Sequence, residues 1–325
     1  MPEPLITGRF APTTSGRAHP GTLLSALLVW WDLHSQGGRT FLRWEDIDPS
    51  ARSRTMQKAL VEDLAWLGLD WDETVWQSQL ADHHEQALEC LASQGRLYEC
   101  SCSRTDIRQA GLPSASGGWV YPGTCRPRVV RNWRMSHENL RCNLEGFSLT
   151  LTDESGADLS QNVPFDMGDP LVRRADGSVT YQLAVVADDA ASGITRVVRG
   201  RDLATSTATQ AALYQLLKVP TPQWHHHFLL REQQGEKFAK LHQSVGADQL
   251  RQVYQAPQLV ALLMQVAGLL PGPRPEAGRP VSFEPAKVEP QDFRFALRDF
   301  SWHRVTQEDQ TLLWDGQKLS WWSRE

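Results

Sequence analysis

Residues 5 to 44 constrain the fold more than any other stretch. Leu5 to Phe10 is a short apolar run that suits a buried strand. Ala11 to Gly21 holds Pro12, Gly16, Pro20 and Gly21, which excludes regular structure and predicts a loop. From Thr22 to His34 apolar residues recur at helical spacing, and Gln36-Gly37-Gly38 supplies the stop. Thr40 to Trp44 reads as the next strand. A strand–loop–helix–strand unit of this length implies two parallel strands joined by a right-handed crossover, hence an α/β fold. In such sheets ligands bind at the carboxyl ends of the strands, so the loop 11–21 and the residues after Trp44 become candidate site positions.

The rest of the chain extends this reading. Residues 54 to 98 look mainly helical, and 100 to 125 form a stretch rich in Gly, Cys and Ser, followed by an arginine-rich segment to 141. The runs Leu183–Ala187 and Ile194–Arg199 read as strands, Thr205–Leu217 as a helix, and Trp224–Leu230 as a strand. Eighty-one residues follow Ser244, and Pro271 to Pro290 among them should be irregular. A net charge of −5 argues against nucleic-acid binding through bulk charge, though a local basic face remains open. No apolar run approaches the roughly 18 residues needed to cross a bilayer. Met1 to Thr7 lacks the basic region and apolar core of a secretory signal, so a soluble, cytoplasmic protein with no membrane partner is expected. Five cysteines, an odd number, do not make a disulfide framework, and Cys90 and Cys142 have no motif around them.

Three constellations carry chemistry. The first is Arg9-Phe-Ala11-Pro-Thr13 followed by Gly16-Arg-Ala-His19-Pro-Gly21-Thr22. A glycine-bearing loop before a helix brings backbone N–H groups and the positive helix end to a phosphate, and a histidine there can donate to its oxygens. The second is Arg43-Trp-Glu45-Asp46-Ile-Asp48, where three carboxylates at a strand end suit an ammonium group, a ribose or a metal. The third is Gly235-Glu-Lys237-Phe-Ala-Lys240-Leu, where two lysines three residues apart can clamp a triphosphate. Singly, each has a plain alternative: a strand–helix turn, a solvated acidic turn, a surface loop.

In this order and spacing the three together resemble the signature set of class I aminoacyl-tRNA synthetases. His19-Pro-Gly-Thr22 is similar to the first signature and Lys237-Phe-Ala-Lys240-Leu241 to the lysine-loop signature. Arg9-Phe-Ala-Pro, Glu45-Asp-Ile-Asp48 and Val197-Val-Arg199-Gly-Arg-Asp-Leu203 resemble the glutamyl branch. The resemblance implies a Rossmann-type parallel-sheet catalytic domain that uses ATP with Mg2+ to activate glutamate. By it, Arg9 takes the side-chain carboxylate, Glu45 the ammonium, and Tyr181 and Arg199 the α-carboxylate, with Ala11 and Thr13 beside them. His19, Gly21, Thr22 and Lys240 would hold ATP, and His19, Lys237 and Lys240 would serve catalysis. A full glutamyl-tRNA synthetase needs a large helical anticodon-reading domain after the lysine loop, and 81 residues are too few. The resemblance is therefore to the truncated paralogues, the glutamyl-queuosine tRNA(Asp) synthetases, which implies queuosine-containing tRNA(Asp) as partner. Tyr181-Gln-Leu-Ala-Val185 also resembles them, since full-length enzymes usually carry asparagine where Val185 stands.

Cys100-Ser-Cys102, Tyr121 and Cys125 fit the same paralogues. Three thiolates and one more ligand make a closed tetrahedral zinc site of structural type. Chemistry alone allows water or Cys142 as the fourth ligand, because a phenol must lose a proton with a pKa near 10; the family pattern gives Tyr121. Arg126, Arg128, Arg131, Arg134 and Arg141, with Trp133 among them, suit either phosphate and base contacts or a solvated basic face. His225-His226-His227 alternates faces on a strand and reads as packing, not as a metal cluster. The expected division is 1–98, the first half of the catalytic domain; 99–180, a zinc-containing acceptor-binding insertion; 181–245, the second half with the lysine loop; and 246–325, a short, mainly helical C-terminal region. A monomer is expected. The signatures depart from pattern at Thr22 and Ala239, and residues 307 to 325 match nothing identifiable. Two other readings stay open: a compact glutamyl-tRNA synthetase charging a 3′ end, and a non-catalytic synthetase-like tRNA-binding protein.

Overall fold

A computed structural model describes residues 5–114, 117–130, 132–232 and 245–323. In chain order it begins with β1 (Thr7–Phe10), α1 (Pro20–Ser35), β2 (Arg39–Trp44), α2 (Arg54–Trp66), β3 (Glu73–Trp76), α3 (Ala81–Ser93) and β4 (Leu97–Cys100). Then come α4 (Arg104–Ala110), β5 (Asn139–Cys142), β6 (Ser148–Leu149), β7 (Gln161–Asn162), α5 (Val163–Asp166) and β8 (Leu171–Arg173). They are followed by α6 (Tyr181–Ala191), β9 (Arg196–Gly200), α7 (Thr207–Leu217), β10 (Gln223–His227) and β11 (Leu230–Arg231). Last come α8 (Ala247–Val253), α9 (Ala256–Val266), β12 (Val281–Phe283), β13 (Gln310–Trp314) and β14 (Leu319–Trp322). The central sheet has the order β10-β9-β1-β2-β3, and β1 pairs with β2 in parallel, Arg9 opposite Phe41. This is the α/β architecture expected from the first 44 residues, of the Rossmann type that the resemblance implies. No helix among the described residues is long and apolar enough to cross a membrane.

The chain falls into two compact units. The first comprises residues 1–75, 198–201 and 226–325. Its core is built on α1, which buries Leu23, Leu24, Leu27, Leu28 and Trp31 almost completely. A helix apolar on nearly every side must be covered on every side, and residues near the end of the sequence supply part of that cover. Trp31 Nε1 donates to the Phe293 carbonyl at 2.5 Å, and Trp302 Nε1 to Asp32 Oδ1 at 2.7 Å. Gly37, at φ +65°, ends α1 in the left-handed conformation that a side chain resists. Beyond α8 and α9 the strands β12, β13 and β14 join β11 in a four-stranded sheet of order β11-β13-β14-β12. That sheet was not anticipated, because strands of three to five residues leave little periodicity to read.

The second unit comprises residues 76–197 and 202–225. It corrects one element. The run Leu183–Ala187, read as a strand, lies in the helix α6. A short apolar run does not distinguish a buried strand from a buried helix turn. Here the helix is buried on both flanks by α3 and α7. Its two buried carboxylates have partners: Asp188 binds His84 Nε2 at 2.6 Å and Gln77 Nε2 at 2.5 Å, and Asp189 accepts from the Tyr214 hydroxyl at 3.2 Å. The unit also holds the antiparallel sheet β4-β5-β8.

Candidate active site and metal-binding insertion

In the first unit, Arg9 sits on β1 with 5% of its surface exposed, and Ala11 and Thr13 follow in the loop. Thr14 Oγ1 donates to the Ala51 carbonyl at 2.7 Å, which ties this loop to the acidic turn after β2. Glu45 is half-buried, one residue past the end of β2. Arg43, almost wholly buried, places Nη2 3.6 Å from Glu45 Oε1. Residues i and i+2 of a strand share a face, so the Arg-Trp-Glu spacing was the available signal for this missed partner. Asp48 plays a different part, since its carboxylate accepts from Ser50 N at 2.8 Å and caps the turn at Pro49–Ala51. One of the three carboxylates expected here is therefore used to build the turn.

His19 is the N-cap of α1, a position usually held by Ser, Thr, Asn or Asp. Its Nδ1 accepts from Thr22 N at 3.2 Å. An accepting Nδ1 leaves the ring proton on Nε2, so the ring is neutral and its second nitrogen is a donor. Gly21 suits this arrangement, since a Cβ there would lie 3.1 Å from His19 Cε1 and the ring would have to give way slightly. Ala247 N, at the start of α8, donates to the Ala18 carbonyl at 2.7 Å and holds the loop from the other side.

Arg199, on β9, is 5% exposed, and its Nε donates to His226 Nε2 at 3.0 Å. The three histidines are buried, as the packing reading requires, and they also make specific contacts. His227 Nε2 lies 3.1 Å from Ser25 Oγ. Nothing local in the sequence announces the Arg199–His226 pair, whose members are 27 residues apart. The lysine-loop residues Lys237 and Lys240 lie outside the described residues.

In the second unit, Tyr181 begins α6 and is 37% exposed. The insertion brings Cys100, Cys102 and Cys125 together, with their sulfurs within 4.8 Å of one another. Cys102 Sγ lies 3.5 Å from Cys125 Sγ, and the Tyr121 hydroxyl lies 3.6 Å from Cys100 Sγ and 3.9 Å from Cys102 Sγ. A tetrahedral centre with thiolate bonds of about 2.3 Å has S···S edges of about 3.8 Å and S···O edges of about 3.5 Å. The four side chains thus fit a metal ion, whereas Cys142, buried on β5, is not in the cluster. Burial acts to raise the Cys125 thiol, but hydrogen bonds from Tyr121 and Cys102 outweigh it and bring it down to about 7. Burial and the hydrogen bond to Cys125 push Cys102 up to about 11.

Tyr121 is an awkward ligand in bare form, because burial and its thiol neighbours raise its phenol above the ordinary value. One main-chain donor counteracts this, and a guanidinium lies against the ring. Cys125 N donates to the phenol oxygen at 2.8 Å, and the Arg141 guanidinium lies 3.8 Å above the ring with Nε 3.3 Å from Cys100 Sγ.

The arginine-rich segment is mostly committed to the fold. Arg126 binds Asp169 at 2.6 Å, Arg128 binds Ser101 Oγ at 2.9 Å, and Arg134 binds Glu89. Trp133 is 6% exposed and donates to Glu89 Oε2 at 3.1 Å, so it offers no open face for stacking. Arg131 lies outside the described residues.

Comparisons with known proteins show the family and the fold. The family described as tRNA synthetases class I (E and Q), catalytic domain, matches residues 5–271. The glutamyl-Q tRNA(Asp) synthetase of Symbiobacterium thermophilum is 40% identical over 313 residues, 89% of this chain and 96% of that protein. Proteins of the same name from Albidiferax ferrireducens and Deinococcus radiodurans are 41% and 39% identical, over 72% and 82% of this chain and 84% and 90% of theirs. The glutamate-tRNA synthetase of Elizabethkingia anophelis superposes with a TM-score of 0.74 at 18% identity, covering 95% of this chain and 68% of that one, which shows a common fold. The chain therefore belongs to the class I tRNA synthetases for E and Q, in the family of the glutamyl-Q tRNA(Asp) synthetases.

Proposed function

We propose that this chain activates glutamate with ATP and Mg2+ and transfers it to the queuosine base of tRNA(Asp). The observation that carries the glutamate reading is the placement of Arg9 and Glu45 at the carboxyl ends of neighbouring parallel strands, where such sheets bind ligands. Glutamate offers two carboxylates and an ammonium group, so its pocket needs two cations and an anion. Arg9 forks onto the side-chain carboxylate, Glu45 holds the ammonium, and Ala11 and Thr13 line the loop beside it. Tyr181 and Arg199 orient the α-carboxylate. His19 donates through Nε2 to ATP, with Gly21 and Thr22 at the helix start, and Lys237 and Lys240 neutralise the triphosphate. An α-carboxylate oxygen attacks the α-phosphorus and pyrophosphate leaves. A hydroxyl of the cyclopentene diol then attacks the glutamyl carbonyl and AMP leaves.

Cys100, Cys102, Tyr121 and Cys125 hold a structural Zn2+, which braces the insertion 99–180 against the tRNA. Segments 1–98 and 181–245 make the catalytic domain, and 246–325 stands where longer synthetases carry an anticodon-binding domain. The name shared by the relatives supports the choice of acceptor. The test is incubation with labelled glutamate and ATP. Queuosine-containing tRNA(Asp) should be labelled, while an unmodified tRNA(Asp) transcript and a tRNA(Glu) transcript should not. Charging of the tRNA(Glu) transcript at its 3′ end would overturn the reading in favour of a compact glutamyl-tRNA synthetase.

A further inference from the structure

Residues 272–325 lie beyond the match to the catalytic-domain model. Their most connected polar group is the Asp309 carboxylate. Oδ2 accepts from Arg231 Nε at 2.7 Å and lies 2.6 Å from Arg231 Nη2. Oδ1 accepts from Leu229 N at 2.8 Å and lies 3.4 Å from Arg201 Nε. The neighbouring Gln307 carbonyl accepts from Arg201 Nη2. β13 then runs parallel to β11, pairing Leu230 with Gln310 and Arg231 with Thr311, and Gln310 N donates to the Leu229 carbonyl at 2.9 Å.

These contacts converge on two short segments. Arg201 lies two residues after Arg199 at the end of β9, and Arg231 lies six residues before Lys237. Both arginines are 36% exposed, so an isolated ion pair with either would hold little. One carboxylate shared by two guanidiniums and a main-chain N–H, backed by a strand ladder, is a different object. It fixes the separation of the two segments, because each donor restricts where the common acceptor can stand.

We propose that Asp309 is a positioning residue for glutamate activation: it clamps the segment that carries Arg199 and the segment that leads into the lysine loop. The proposal rests on the activation reading above. It gives this C-terminal sheet a role inside the catalytic domain, distinct from any contact with the anticodon. Asp309 acts through the segments it holds and not on the substrate.

The test is glutamate-dependent ATP–pyrophosphate exchange by the full chain carrying Asp309→Asn, in wild-type and Lys240→Ala backgrounds. In the wild-type background kcat should fall roughly tenfold to a hundredfold, as for a displacement remote from the chemistry, with the KM for ATP nearly unchanged. In the Lys240→Ala background Asp309→Asn should add little, since groups acting as one unit are not additive. Wild-type kcat in Asp309→Asn, or full additivity with Lys240→Ala, would overturn the proposal. A second measurement does not depend on turnover. Amide hydrogen exchange across residues 226–232 should quicken in Asp309→Asn while protection in α1 is kept. Unchanged protection there refutes the clamp even if the wild type shows no exchange with glutamate, a result that would by itself refute only the activation reading.

Discussion

Asp169 is the group whose loss the insertion should tolerate least. Its side chain is wholly buried and accepts four hydrogen bonds: from Tyr98 Oη at 2.7 Å, from Arg126 Nε and Nη2 at 2.6 and 3.2 Å, and from Leu144 N at 3.0 Å. Burial, and then the Asp169 charge, raise the Tyr98 phenol far above its ordinary value, so it remains a donor at every accessible pH. Asp169→Ala strands the Tyr98 hydroxyl and the Leu144 amide, both in buried residues, at about 1–3 kcal/mol each. Arg126 suffers less, because a quarter of its side chain reaches water. The sum is about 2–6 kcal/mol, which spans the range of about 3–5 kcal/mol for breaking one side of a buried ion pair and is a large share of a typical folding free energy of about 5–15 kcal/mol. Asp169→Asn should cost nearly as much, because its amide nitrogen cannot accept from Tyr98 or Arg126. The assay is urea unfolding followed by fluorescence, with metal content measured in parallel. On the zinc site proposed above, metal content should fall too as the main chain at Asp169 loosens, because its backbone carbonyl accepts from Arg141 Nη1 at 2.6 Å and Arg141 covers Tyr121. A cost below about 1 kcal/mol for both variants would refute the reasoning.

Three other substitutions test separate arguments. His19→Asn keeps a side-chain acceptor for Thr22 N, so stability should hold while pyrophosphate exchange drops roughly 10²-fold or more; exchange at the wild-type rate would show that His19 only caps the helix. Lys218 ends α7 at φ 57° and is exposed, so Lys218→Gly should stabilise by about 1 kcal/mol in urea unfolding. Burial raises the Asp63 carboxyl above 3.8, against the lowering effect of Arg251. Its contribution to stability is therefore present at acid pH and lost as pH rises through the folded-state value. Asp63→Asn should accordingly cost more stability at pH 4 than at pH 7, and a cost independent of pH would be the contrary result.

What was legible in the sequence was local. Proline and glycine punctuation gave away the β1–α1–β2 unit, and Cys100-Ser-Cys102 with Cys125 announced a thiolate cluster. Tyr121 was not readable from chemistry, which left water and Cys142 open; only family likeness named it, and the fold then brought its hydroxyl to the sulfurs. What was not legible lies far along the chain. Arg141 above Tyr121, Asp169 beneath Tyr98, and Asp309 between Arg201 and Arg231 join residues 20 to 108 positions apart. Pattern reading sees spacing within one element, and these partners belong to different ones. The α6 error has the same root: its burial is decided by α3 and α7, not by its own sequence.

One partner of Arg199, His226, bears on how the proposed pocket binds an acid. A guanidinium can only donate, so His226 Nε2 must present its lone pair and the ring must be neutral. This pairing fixes the arginine without cancelling its charge. A carboxylate in the same place would hold it as firmly and would neutralise it, leaving less attraction for the α-carboxylate of glutamate. His226→Asp should therefore keep the fold but raise the KM for glutamate in pyrophosphate exchange. The interaction lost is one charge-assisted hydrogen bond, about 1.5–3 kcal/mol, or roughly 10- to 150-fold. His226→Asn, neutral and still an acceptor, should retain most of the affinity, with kcat little changed in both variants because ground state and transition state lose the same contact. If His226→Asn and His226→Asp raise the KM equally, the histidine matters for its volume, and the argument from charge fails.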